Sequence, residues 1–311
     1  MKYLLTHAHL IIDGQKEYLD GALLIDDEKI EDVFFQSNKL KDISEEYKVI
    51  DIGGNIVMPG FFDTCCKSDL SKEGTTSYLS LIKYESDIDK MCNDLKEHES
   101  TSSRFLGFNL DGPFLSDKYV SNTLKPDLDI LDKLLESSND IKQMTVSCEL
   151  ENIKQIINKL KENNIKVMCG HSNAVYEDLD DNIDGISNLF KDMKGLDSHN
   201  KTLVNCAFMN KWYCELNVDD VDDVVLKLVL NNIDKDKLIL VSDINKQMKV
   251  LYKLGAKYTD LLRYSSLNAY ELHGLSNRYG TLNKGKCSDL VIMDDDLNIK
   301  DVLLRGNFIY V

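Results

Sequence analysis

Apolar residues recur along this chain in two different rhythms. Near both ends, short apolar runs are separated by turn residues: 9–12, 22–25 and 29–34 at the start, 289–293, 302–304 and 308–311 at the finish. Runs of that length between turns read as strands. The middle behaves differently. Apolar strand-like runs over 57–63, 75–82, 104–110, 143–148, 166–171, 185–190, 202–208 and 238–243 alternate with helix-period segments over 87–97, 127–137, 151–163, 174–181 and 219–231. Strands alternating with amphipathic helices predict a parallel sheet. The number of units fits a closed (β/α)8 barrel of the TIM type, near its lower size limit of about 200 residues. An open doubly wound sheet is the alternative, but it would place a glycine-rich phosphate loop after its first strand. That position holds Cys65-Cys66-Lys67-Ser68. The two β-rich ends predict one small β-sandwich split by the barrel, with domains at 1–56 plus 276–311 and at 57–275.

Composition narrows the function classes. Of 311 residues, 43% are hydrophobic and 29% charged, as in a globular protein, and the formal net charge is −16. Such a charge argues against nucleic acid and against an anionic membrane surface as partners. No apolar run approaches the ~20 residues needed to cross a bilayer. The opening residues turn polar too early for a secretory signal. The eight cysteines form no C-x-x-C pair and no disulfide framework, so a cytoplasmic location is expected.

Candidate chemistry sits where strands end, because the carboxyl ends of barrel strands converge on one mouth. Five ends offer polar groups: Asp63 to Lys67, Asp111, Glu149, His171 and Asp243. A neutral imidazole and carboxylates meeting there suit metal-assisted hydrolysis. Structural roles compete with that reading. Asp111 opens a turn and can cap it, Asp243 can cap a helix over 245–254, and His171 can be a core or capping histidine. Strand alternation puts Asp63 and Cys65 on one face and Thr64 on the other, and makes Cys65 and Cys66 small core fillers.

The motifs at these ends resemble those of the N-acetylglucosamine-6-phosphate deacetylase family, within the amidohydrolase superfamily. Met58-Pro59-Gly60-Phe61-Phe62-Asp63 resembles its first strand, and Leu110-Asp111-Gly112-Pro113-Phe114-Leu115 its L-E-G-P-[FW]-L string. Gly170-His171-Ser172-Asn173-Ala174 matches its G-H-S-N-A string, and Leu240-Val241-Ser242-Asp243 resembles L-V-T-D-A. The tail from Gly280 to Val291 resembles the strands closing its split sandwich. The resemblance implies a barrel with a split β-sandwich, a homodimer, and a divalent metal, zinc above all. It further implies hydrolysis of the N-acetyl amide of an amino-sugar phosphate. Asp243 takes the place of the catalytic aspartate, and His171 and Asp111 take the places of metal ligands.

The chain also departs from the pattern. Where the family has T-H-L-[FY]-N-A-M, this chain has Ser187-Asn188-Leu189-Phe190-Lys191-Asp192-Met193, so Asn188 replaces a ligand histidine and Lys191 a substrate contact. A-D-G-x-H becomes Met209-Asn210-Lys211-Trp212-Tyr213, which puts Asn210 and Tyr213 at substrate positions. An asparagine offers a metal only a neutral carbonyl oxygen, a weaker donor for zinc than imidazole. Aspartate in place of glutamate retracts the carboxylate by about 1.5 Å, against a coordination tolerance of about 0.2 Å. Three readings follow: a divergent deacetylase with a partly eroded site, a catalytically impaired homologue acting as a binding or partner protein, and a hydrolase of some other substrate.

Overall fold

The computed structural model describes residues 1–37, 46–67, 71–97 and 101–310. Ser68 and Val311, which fall in segments discussed above, lie outside them. Two eight-stranded sheets organise the chain. The first is mixed and built from both ends: β1 (Lys2–Ile11), β2 (Glu17–Asp26), β3 (Lys29–Phe34), β4 (Lys48–Asp51) and β5 (Ile56–Pro59) join β14 (Leu290–Met293), β15 (Ile299–Leu304) and β16 (Asn307–Tyr310). The second is parallel throughout. It contains β6 (Phe61–Cys66), β7 (Thr75–Lys83), β8 (Arg104–Asp111), β9 (Ile141–Val146), β10 (Lys166–Cys169), β11 (Gly185–Ile186), β12 (Tyr213–Leu216) and β13 (Leu238–Leu240), in that spatial order. This is the α/β barrel with a terminal sheet that the apolar pattern predicts.

Three local readings need correction. The run 57–63 is two strands: β5 pairs with β1 and β14 in the terminal sheet, and only β6 enters the barrel. Gly60 makes the corner, and a Cβ there would lie 2.1 Å from the Thr76 hydroxyl. The run 202–208 is not a strand but a short helix, Leu203–Ala207, whose Thr202 hydroxyl accepts from Asn205 N–H. The seventh barrel strand is therefore β12, further along. Within 174–181 only a single 3-10 turn, Tyr176–Asp178, forms.

The helices are α1 (Ile88–Asp94), α2 (Leu128–Ser137), α3 (Ile153–Glu162), α4 (Leu203–Ala207), α5 (Asp223–Asn232), α6 (Ile244–Lys253), α7 (Tyr258–Leu262) and α8 (Asn268–Leu272), with a π-helical turn over Arg263–Leu267 between the last two. In α3, Ile153, Ile156, Ile157 and Leu160 recur at helical spacing and are all buried against the barrel. Each such side chain stabilises by about 1.5–3 kcal/mol relative to exposure. Among the described residues, no helix is long and apolar enough to cross a membrane.

Among the described residues, no backbone ladder joins β13 to β6, the two ends of the parallel sheet. Side chains hold that seam. Ser242 N–H donates to Asp63 Oδ1 at 3.1 Å, Ser266 Oγ to the Gly60 carbonyl at 2.9 Å, and Asn268 Nδ2 to the Leu238 carbonyl at 2.7 Å. The seam opens at its carboxyl end onto the rim where the candidate chemistry lies.

Candidate active site

Several rim residues hold left-handed backbone without being glycine: His171 (φ 47°), Asn188 (φ 46°), Ser242 (φ 63°) and Asp243 (φ 43°). Such residues cost on the order of 1 kcal/mol each or more, and persist only where surrounding bonds hold them. Those bonds are present. Ser147 Oγ donates to the carbonyls of Gly170 and His171, at 3.2 and 2.7 Å. Glu149 accepts from Ser172 Oγ and from Asn173 N–H. At the other turn, Gln247 Nε2 donates to the carbonyls of Val241 and Ser242 while Asp63 takes the Ser242 N–H. Asp243 stands at the start of α6 but its carboxylate makes no capping bond. The capping role allowed from sequence is therefore not the one observed.

His171 lies between two carboxylates. Its Nδ1 is hydrogen-bonded to Asp192 Oδ2 at 2.9 Å, and its Nε2 faces Asp111 Oδ1 at 3.2 Å. A carboxylate only accepts, so Nδ1 carries a proton. The Nε2 to Oδ1 approach is different: both atoms are buried, and among the described residues neither makes a well-aligned hydrogen bond. Burial works to lower the His171 pKa, but Asp111 and Asp192 outweigh it and raise it. Burial works to raise Asp111, but His171, Lys83 and Lys191 lower it on balance. Each group thus favours the charged form of the other.

The same pair fits one divalent cation. Two donors bound at about 2.1 Å to a tetrahedral ion stand roughly 3.4 Å apart, close to the 3.2 Å observed between two atoms that lack partners. Asp192 on the far ring nitrogen is the arrangement that metal-binding histidines ordinarily have. A third donor is missing: among the described residues, no group of three His, Cys, Asp or Glu side chains is placed to hold a metal. Asn188 turns its amide to its own neighbour, Ser187 Oγ, at 3.3 Å.

Below the rim one part of the barrel interior is polar, where such barrels usually pack branched apolar residues, beside an apolar cluster of Phe62, Leu79, Met168 and Ile239. Glu215 on β12 is fully buried and accepts from Thr64 Oγ1 at 2.6 Å and Gln143 Nε2 at 2.8 Å, leaving Oε2 unpaired. Burial raises its pKa against the lowering effect of those bonds. Asn109 donates to the Thr64 carbonyl and lies 3.4 Å from Cys65 Sγ. Thr64 and Cys65 therefore both reach inward, contrary to simple alternation, because the register of β6 against β7 shifts between Asp63 and Cys66. Burial pushes the Cys65 thiol well up, so it is neutral rather than a thiolate ligand. Burial also pushes Asp63 up to about 6, with Glu215 and Asp243 adding to the effect.

The structure thus brings Asp111 and His171 together and sets Asp243 on the same rim through the Asp63 bridge. Lys191 is close enough to act on Asp111, and with Asn188, Leu189, Phe190, Asn217 and Val221 it lines a cavity of about 190 Å3. Asn210 and Tyr213 are elsewhere. Asn210 accepts from Asp234 N–H at 2.6 Å and donates to the Asn232 carbonyl, in the loop leading into β13. Tyr213 opens β12 opposite Gly185 under the Lys237 ammonium, 4.2 Å from its ring. Both stand at the amino end of their strand, away from the rim, so neither is placed to touch a substrate there. The residues that sequence reasoning missed are Asp192, Glu215 and the bridging role of Asp63.

Residues 69–309 match the model of the amidohydrolase family. The chain is similar to the N-acetylglucosamine-6-phosphate deacetylase of Lysinibacillus sphaericus, 22% identical with 88% of this chain and 92% of the relative covered. It is similar to the enzyme of that name from Bacillus subtilis, also 22% identical, covering 78% of this chain and 77% of the relative. Among solved structures, the N-acetylglucosamine-6-phosphate deacetylase of Pasteurella multocida superimposes with a TM-score of 0.86 at 18% identity, over the whole of both chains. A Mycobacterium smegmatis deacetylase variant, crystallised in complex with N-acetyl-D-glucosamine-6-phosphate, gives 0.85 at 15% identity, again over the whole of both chains.

Proposed function

The chain belongs to the amidohydrolase family, and we propose that it is a divergent hydrolase of the N-acetyl amide of an amino-sugar phosphate, working with a partly eroded metal and substrate site. One observation carries this reading. Asp111 Oδ1 and His171 Nε2, buried at a barrel rim and without aligned hydrogen bonds among the described residues, face each other at close to the separation that one shared cation requires.

A divalent ion, zinc in the first instance, supplies a Lewis acid and an acidified water when bound. Asp111 and His171 would hold it, while Asn188, at the degenerate ligand position of the sequence motif, turns its amide to Ser187. Asp243, its carboxylate free of the helix it begins, takes the proton of the attacking water and returns it to the leaving amine. Lys191 and Lys83, both near enough to lower the Asp111 pKa, favour an anionic group at the mouth. The same reading divides the chain into a β-sandwich unit from both ends and a barrel unit, expected at 1–56 with 276–311 and at 57–275 but with β5 up to Pro59 on the sandwich side, and makes the protein a cytoplasmic homodimer.

A second reading, a catalytically impaired homologue acting as a binding or partner protein, draws support from the missing third donor and from cavity size. The space beside Asn188 and Lys191, about 190 Å3, is smaller than the roughly 300–1,000 Å3 of small-molecule sites. Acetate release from N-acetylglucosamine-6-phosphate by zinc-equilibrated protein decides between the two. Turnover that falls by about 10²-fold or more in Asp243→Asn, with zinc content unchanged, supports the hydrolase. No zinc and no turnover at saturating substrate supports the impaired homologue.

A further inference from the structure

The segment after β11 is strained to an unusual degree. Asn188, Phe190 and Asp192 hold φ values of 46°, 76° and 50°. A phenylalanine has no side-chain amide to ease that conformation. The contacts that hold the segment converge on His171. Ser172 N–H donates to the Asp192 carbonyl at 3.0 Å, Ser172 and Met193 form a β-bridge, and the Asp192 carboxylate reaches His171 Nδ1 at 2.9 Å. The strained backbone thus delivers a carboxylate to the back of the imidazole.

Which nitrogen carries the ring proton decides what the ring can bind. A neutral imidazole has one N–H and one lone pair. Asp111 and Asp192 compete for that single proton from opposite sides, and only one of them has the geometry to take it. The Nδ1 contact to Asp192 is a hydrogen bond, whereas Nε2 merely faces Asp111 Oδ1 and neither atom is satisfied. Without Asp192, the proton would move to Nε2 and close the gap to Asp111 with a direct hydrogen bond. The cation site would then be capped from within.

We propose that Asp192 is a positioning residue for the cation pair: it holds the His171 proton on Nδ1 and leaves the Nε2 lone pair turned toward Asp111. The segment after β11 then serves the site through a carboxylate at Asp192 and not through Asn188. This rests on reading Asp111 and His171 as the ion site, and a carboxylate bonded to a ligating histidine also makes the imidazole a better donor.

The test uses the full-length chain with three readouts. Nitrogen-15 NMR of the metal-free protein, at alkaline pH where the ring is neutral, reports the tautomer, with His171→Gln identifying the resonance. Wild type is expected to be Nδ1–H and Asp192→Ala to switch to Nε2–H. Asp192→Asn, whose amide oxygen still accepts, is expected to keep Nδ1–H. Zinc affinity measured by chelator competition should fall about 10–100-fold in Asp192→Ala, and by less in Asp192→Asn. Thermal melts monitor folding, which the retained Asp192 carbonyl contact protects. An Nε2–H ring in wild type, or equal zinc affinity in wild type and Asp192→Ala, overturns the proposal. A wild type that takes no zinc refutes the ion site instead, and the tautomer measurement still decides the Asp192 contact.

Discussion

Asp63→Asn should stabilise this protein progressively as pH rises. Asp63 is fully buried at the seam between β13 and β6, where its Oδ1 accepts from Cys65 N–H at 2.9 Å and Ser242 N–H at 3.1 Å and its Oδ2 has no partner. Burial, reinforced by Glu215 and Asp243, pushes its pKa up to about 6, against about 3.9 in an unfolded chain. A carboxyl raised on folding is one the folded state prefers protonated. Its ionisation therefore costs stability, beginning as pH rises past the unfolded value and complete above the folded one. Two pKa units correspond to about 3 kcal/mol at full ionisation, of which about half is already present near pH 5. Asparagine keeps the accepting oxygen and never ionises. Its NH2 replaces the unpaired Oδ2, which adds an offset that does not depend on pH. The stability difference between variant and wild type should therefore move by about 1.4 kcal/mol in favour of asparagine between about pH 5 and about pH 8. Urea denaturation of both proteins at the two pH values measures it, and titrations common to both cancel. A difference that stays flat with pH, or that moves toward wild type at higher pH, refutes the claim that Asp63 carries a buried charge at this seam.

Two further substitutions probe other parts of the account. Arg104, at the start of β8, donates to Asp289 and to Glu28 of the terminal sheet, with only 13% of its side chain exposed. Arg104→Ala strands the buried Asp289 carboxylate and should cost about 3–5 kcal/mol in denaturant melts; a loss under 1 kcal/mol would make the pair a surface contact in energetic terms. Asn188→His places an imidazole at the degenerate position and should tighten zinc binding by about tenfold or more, read by chelator competition. Unchanged affinity would mean that Asn188 points away from the ion site.

Sequence legibility followed the length of the signal. The string Gly170 to Ala174 joins a strand end to a turn within five residues, so His171 and its place on the rim could be read directly. Gly60 divides β5 from β6 without interrupting the apolar run, so the corner between sheets stayed hidden. The short run at Thr202–Phe208 is as apolar as a strand, and for so short a segment periodicity cannot separate strand from buried helix. That misreading carried Asn210 and Tyr213 to the wrong end of the barrel, since the true strand, β12, begins at Tyr213. Glu215 alternates along β12 as an outward-facing charge would, and only the fold reveals that it points inward. Asp192 meets His171 across 21 residues, between loops whose approach no local spacing encodes.

The central claim is that Asp111 and His171 share a cation at the barrel rim. Anomalous diffraction from crystals of the full chain grown with zinc tests it directly. The account predicts a single strong peak about 2 Å from both Asp111 Oδ1 and His171 Nε2, with Asp192 still on Nδ1. Zinc bound elsewhere, or the two side chains closed into a direct hydrogen bond with no peak between them, would contradict it.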